Sequence, residues 1–167
     1  QAALRAVTYT NSSDTPNTSN RTISFQVNDG ALNSNLATKT VSVTAVNDAP
    51  VVTTSGGTTA ATEQVAIAVD AALTVADVDS PTLTSGTVSI TGGFQSAQDL
   101  LSFTNVPATM GNITGSYNSG TGVLTLTGNG TPAQYQNALR SVTYRSTSGR
   151  PTATSATRTI TWGLDDG

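Results

Sequence analysis

The chain repeats itself. Gln1, Ala3, Leu4, Arg5, Val7, Thr8 and Tyr9 return in the same order and spacing as Gln136, Ala138, Leu139, Arg140, Val142, Thr143 and Tyr144, seven identities in nine positions at an offset of 135. Further on, Arg21-Thr22-Ile23-Ser24-Phe25 returns as Arg158-Thr159-Ile160-Thr161-Trp162, and Asn28-Asp29-Gly30 as Asp165-Asp166-Gly167, now at an offset of 137. A two-residue insertion therefore lies in the loop between the two blocks. A period near 136 residues is the size of one β-sandwich domain, far longer than a solenoid repeat. The 167 residues hold about one and a quarter such periods. Residues 1–46 read as the C-terminal part of one repeat, and residues 47–167 as the next repeat lacking its last strand. The counterpart of residues 31–46 is expected after Gly167. The parent is expected to be a long tandem array, and with no signal peptide at Gln1 the chain is expected to be a piece of it.

Composition says what each repeat is made of. Thr, Ser and Asn occupy 32, 18 and 12 positions, while Glu and Lys occur once each. Threonine and the other β-branched residues suit a pleated, half-buried surface, and the usual helix fillers are scarce. Short alternating runs separated by Gly and Pro predict an all-β fold. In residues 21–28, Ile23, Phe25 and Val27 alternate with polar residues, which leaves one face dry. Further strands are expected at 7–10, 38–46, 51–54, 64–69, 87–90, 102–105, 113–117, 122–127, 142–145 and 157–164, with a hairpin loop at 118–122. One short helix is expected after Thr131, with Thr131 as N-cap and Pro132 in the first turn. Tyr135, Ala138 and Leu139 share its face. Strands at this spacing predict a Greek-key, immunoglobulin-like β-sandwich.

The same counts exclude several functions. Without Cys or His there is no disulfide, no thiol nucleophile and no transition-metal site of the common kinds. Six scattered Arg and one Lys, with a net charge of −3, give no footprint for nucleic acid. No apolar run is long enough for membrane insertion. Asp165-Asp166 could form a carboxylate pair, but the equivalent Asn28-Asp29 loses one member, so no enzyme activity is expected. Trp162 and the tyrosines could stack on sugar, as in a carbohydrate-binding module. Their recurrence within alternating strands favours core packing.

The acidic residues are few enough for their placement to matter. Asp77-Val78-Asp79-Ser80 offers two carboxylates in a D-x-D pattern, and paired hard oxygens suit calcium. Asn47-Asp48-Ala49-Pro50 stands where one repeat gives way to the next, and Glu63 precedes the apolar run from Val65. The string Val46-Asn47-Asp48-Ala49-Pro50-Val51, then Thr62-Glu63, then Val75-Ala76-Asp77-Val78-Asp79-Ser80, resembles the cadherin-like repeats of giant bacterial surface adhesins. The Leu-x-x-Val-x-Tyr…Ile-x-Phe-x-Val-x-Asp-Gly half is similar to chondroitin-sulfate-proteoglycan-type repeats of the same broad group. The resemblance covers essentially the whole chain. It implies a cadherin-like β-sandwich in a tandem array and calcium at domain junctions. Matched residue by residue, it points to Asn47 and Asp48 in the linker, Asp77 and Asp79 in the following domain, and Glu63. The chain departs from the full cadherin linker, D-x-N-D-N-x-P, in carrying Ala45 in place of the first Asp and Ala49 directly after Asp48. Fewer carboxylates mean a weaker or single-ion site, or a solvated turn.

The expected function is that of an extracellular, cell-surface structural module, a stalk or fibre stiffened by calcium, of bacterial origin by the resemblance. Its expected partners are neighbouring repeats and other copies in a fibre, with any glycan or surface ligand elsewhere in the parent. A self-assembling filament or sheath, in which strand exchange supplies the missing final strand, is the alternative.

Overall fold

A computed structural model describes residues 1–153 and 155–167. The chain divides into two compact units, Gln1–Asp48 and Ala49–Gly167.

The first unit carries a one-turn helix, α1 (Ala2–Arg5), and two strands, β1 (Arg21–Phe25) and β2 (Ala37–Val41). The strands pair antiparallel in a two-stranded sheet, with Arg21 opposite Val41, Ile23 opposite Lys39 and Phe25 opposite Ala37. Side-chain amides and carboxylates organise the connection. Asn28 Oδ1 accepts the Gly30 N–H at 2.7 Å, and Asp29 Oδ1 accepts those of Ala31 and Leu32 at 3.0 and 2.9 Å. No side chain of this unit is fully buried.

The second unit is an all-β sandwich. Its strands are β3 (Val51–Thr53), β4 (Ile67–Ala68), β5 (Thr74–Ala76), β6 (Leu83–Gly92), β7 (Asp99–Ser102), β8 (Thr114–Asn118), β9 (Val123–Gly130), β10 (Thr143–Ser146) and β11 (Thr159–Asp165). Two helices interrupt them, α2 (Pro107–Met110) and α3 (Pro132–Arg140). One sheet runs β11-β6-β9-β8, a second β4-β10-β7, and β3 pairs with β5. All pairings are antiparallel. Leu83, Val88, Leu124 and Leu126 of the four-stranded sheet belong to one buried cluster with Leu73, Leu101, Ile113 and Val142.

The helix α3 follows from local signals. Thr131 Oγ1 accepts the Gln134 N–H at 3.2 Å and Gln134 Oε1 accepts the Thr131 N–H at 2.8 Å, a reciprocal capping box. Pro132 needs no donor in the first turn. Tyr135, Ala138 and Leu139 are wholly buried, and the Tyr135 hydroxyl donates to the Gly128 carbonyl at 2.7 Å. That carbonyl belongs to a residue at φ +125°, where a Cβ would also meet the Asn112 carbonyl at 2.9 Å, so only glycine fits.

Several expected strands shift. Residues 7–10 form none, although their copies lie in and beside β10. The strand β10 is held between β4 and β7, and residues 1–48 contain no counterpart of either. Pairing of residues 38–46 stops at Val41, because the partner strand begins at Arg21. Residues 64–69 do follow β10, through Gln64 N–H to Ser146 at 2.9 Å and Val69 N–H to Val142 at 3.0 Å. Gln64 at φ +61° breaks the regular ladder down to Ile67–Ala68. The strand expected at 102–105 lies earlier, at Asp99–Ser102, and β5 and α2 were unexpected.

Candidate functional site

The register of Val51 opposite Ala76 sets the D-x-D turn at the end of the second unit where the chain enters. The Asp77 carboxylate folds this turn. Its Oδ1 accepts the N–H groups of Asp79 and Ser80 at 3.1 and 2.7 Å. The Ser80 hydroxyl then donates to Asp166 Oδ2 at 3.0 Å, just past the end of β11. Beside it, Asp165 Oδ1 accepts the Gly167 N–H at 2.8 Å and bonds the Thr84 hydroxyl at 3.3 Å. The structure thus brings Asp77 and Asp79 together with Asp165 and Asp166, the last two carried by the repeated block.

One oxygen stands out at this end. Asp77 Oδ2 is buried without a hydrogen-bond partner. A buried carboxylate oxygen left so is costly, and a cation is one means of satisfying it. The donor chemistry fits calcium, which takes carboxylate, carbonyl and hydroxyl oxygens. Among the described residues, however, no three acidic side chains already converge into a ready ligand group. Glu63 is not brought to this end. The neighbouring Gln64 N–H bonds Ser146, which lies opposite Asp99, and Asp99 is bound to Arg158 just before β11 begins. Asp77 lies where β11 finishes, about 20 Å away along seven strand residues. Asn47 and Asp48 belong to the first unit and Asp77 and Asp79 to the second.

A second polar group was not foreseen. Asp99 is 2% exposed in the interior. Its Oδ2 accepts Arg158 Nε at 2.6 Å and the Gln95 N–H at 2.8 Å, and its Oδ1 accepts the Tyr144 hydroxyl at 2.6 Å. Its carbonyl accepts the Tyr117 hydroxyl at 2.8 Å. Burial, then the hydrogen bond and charge of Asp99, push the Tyr144 phenol up to about 12. Burial and the same charge raise Tyr117. Arg158 is raised too, the carboxylate outweighing the burial that lowers it. Its guanidinium also donates to the carbonyls of Ser155 and Pro151 at 2.9 and 3.2 Å. The cluster is a clamp joining β7, β10, β8 and the segment before β11. The signal for it was the repeat, since Tyr144 and Arg158 echo Tyr9 and Arg21. Asp99 has no copy in the first 48 residues, so nothing marked it.

A cavity of about 660 Å³ opens beside this clamp. Ile67, Val69, Tyr144, Ile160 and Trp162 supply its apolar wall, and Glu63, Asp70 and Arg158 its charges. Trp162 packs partly against the core, as expected of it. No described helix is long and apolar enough to cross a membrane.

No family model matches the chain, and no solved structure matches it. It is similar to Halomucin of Haloquadratum walsbyi (strain DSM 16790 / HBSQ001), at 36% identity over 134 residues. The aligned stretch is 80% of this chain and 2% of Halomucin. The chain thus spans about one fiftieth of the relative's length, and the aligned stretch is close to one period of the internal repeat.

Proposed function

We propose that this chain is an extracellular structural repeat module, about one and a quarter periods of a tandem array that works as a stalk or fibre. The observation that carries the reading is the 136-residue internal period, seconded by similarity to a period-sized stretch of a far longer protein. A cadherin-like sandwich copied in series serves as a spacer, and the reading gives it no catalytic role. Adhesive chemistry, where the parent has any, lies in other segments.

The same reading gives calcium to the acidic end of the sandwich, with Asp77 and Asp79 as its ligands, while Asn47 and Asp48 are named for it by the cadherin resemblance alone. Bound calcium would supply two positive charges beside the Asp77 carboxylate and satisfy its unpartnered oxygen. The support for it is the orphaned Asp77 Oδ2 at the end where the chain enters the sandwich. Glu63 lies at the other end and is left out of this set.

Arrays of two, four and six periods, measured by small-angle X-ray scattering, test the stalk. Maximum dimension should grow in proportion to the number of periods. Compact particles whose size follows the cube root of mass would overturn it.

A further inference from the structure

The chain holds five Asn-x-Ser/Thr triplets, beginning at Asn11, Asn17, Asn20, Asn112 and Asn129. This is the pattern on which an N-glycosyl transferase acts. A chain rich in Asn and Thr collects such triplets without use for them, and the fold sorts these five. In the triplet from Asn112, Ile113 is wholly buried and the Thr114 hydroxyl bonds that of Thr127 at 3.0 Å. In the triplet from Asn129, Gly130 is buried opposite Leu83 and Thr131 Oγ1 caps α3. In the triplet from Asn20, Arg21 and Thr22 already belong to β1. A transferase takes up its triplet as an open segment, and these three are fastened into the fold.

Asn11 and Asn17 both lie in the strandless run before β1. The repeat separates them. Pro16 returns as Pro151 at the offset of 135, so Asn11 falls on Ser146 and Asn17 on Thr152. Ser146 is 3% exposed at the end of β10, whereas Thr152 is exposed in the loop beyond it. Position 11 is therefore a buried strand end in the sandwich, and position 17 is open to solvent there as it is in the first unit.

The shape of the Asn17 triplet is set locally. Asn17 Oδ1 accepts the Ser19 N–H at 2.8 Å, an Asx turn that closes the triplet on itself. The turn brings the amide to the residue that carries the hydroxyl. Pro16 fixes the dihedral just before it. The Arg21 guanidinium donates to the carbonyls of Asn17, at 2.7 Å, and Ser19. Its copy Arg158 likewise donates to loop carbonyls, those of Pro151 and Ser155. All the bonds that shape the triplet come from residues 17–21, so they do not depend on what precedes or follows in the array.

We propose that Asn17 is an N-glycosylation site, taking an oligosaccharide from a lipid-linked phosphate donor. The Nδ2 lone pair attacks C1 of the first sugar. The C1–O bond to phosphate breaks, the lipid phosphate leaves with the electron pair, and the displaced Nδ2 proton passes to a base of the transferase. The second copy carries Thr152 at this position and no triplet, so the sugar is confined to the first unit. The inference rests on the extracellular placement, and on neither the stalk nor calcium.

The test is peptide mapping by mass spectrometry of the full chain, recovered from the surface of the cells that make it. Trypsin cuts after Arg5 and Arg21 and releases residues 6–21 as one peptide. That peptide should be heavier by whole sugar residues, and fragment ions should place them on Asn17. The peptides holding Asn112 and Asn129 should be bare. Ser19→Ala keeps the N–H of the turn but removes the hydroxyl, and should lose the sugar. Ser19→Thr should retain it. A bare 6–21 peptide in surface-recovered chain would overturn the proposal alone, as would sugar on one of the other four asparagines instead, or sugar retained in Ser19→Ala. A chain found only inside the cell would overturn the extracellular placement, and this site with it.

Discussion

Asp99 shows how much one residue can hold. Its carboxylate carries an ion pair and a tyrosine hydrogen bond in a dry interior, and its carbonyl carries another. Replacing the carboxylate while keeping its shape, Asp99→Asn, strands the guanidinium of Arg158 beside a neutral amide. Breaking a buried pair from one side costs about 3–5 kcal/mol, and urea unfolding should show a loss of that order. Tyr144→Phe removes one charged-acceptor hydrogen bond and should cost less, about 1.5–3 kcal/mol. The cluster also sets an alkaline limit. A phenol raised to about 12 in the folded chain stays protonated while the unfolded chain ionises near its ordinary value of 10. The folded state then holds the extra proton, so stability falls as pH rises from about 10 to about 12. Below that window the group is neutral in both states and contributes no slope. Equilibrium unfolding at a series of pH values should show this decline in the wild type and a shallower one in Tyr144→Phe.

At the scale of elements, the repeat provides its own control. Leu4 and Leu139 are the same residue of the same helical motif, but Leu139 is wholly buried in α3 and Leu4 in α1 is 43% exposed. Leu139→Ala should cost about 2–5 kcal/mol through lost burial and the cavity left behind. Leu4→Ala should stay within about 0.5 kcal/mol, as exposed substitutions do. Paired thermal melts decide the matter, and equal losses would mean that the first unit buries its helix in solution. The same contrast marks what the sequence could tell. The helix α3 was legible because Thr131, Pro132 and the spacing of Tyr135, Ala138 and Leu139 are local signals. The alternation in residues 21–28 and 157–164 was legible for the same reason. Residues 7–10 misled, because a β-like run becomes a strand only against neighbours, and β4 and β7 have no copies there. At the site, D-x-D in a loop was visible. What was not visible was distance, and the span of β11 separates Glu63 from Asp77. Asp165 and Asp166 join the acidic end only through strand pairing, which spacing along the chain does not show.

At the scale of the whole molecule, the question is whether the acidic end is a joint. The chain is poor in charge, with ten acidic residues in 167, yet four of them gather where the second unit begins. A buried carboxylate oxygen without a hydrogen-bond partner is costly. A ligand that binds only the folded form stabilises it by about 2.7 kcal/mol at one hundred times its Kd. Calcium bound there should therefore raise Tm, and a chelator should lower it again. Asp77→Asn separates this effect from folding of the turn. The asparagine Oδ1 can still accept from the Asp79 and Ser80 N–H groups, while the replaced Oδ2 can no longer act as an anionic ligand. The variant should keep a cooperative melt without calcium and lose most of the calcium-dependent rise. Magnesium should substitute poorly, because it prefers a tighter octahedral shell and gives up its water reluctantly. A wild-type melt indifferent to calcium would leave the acidic end as a turn held by Asp77 alone.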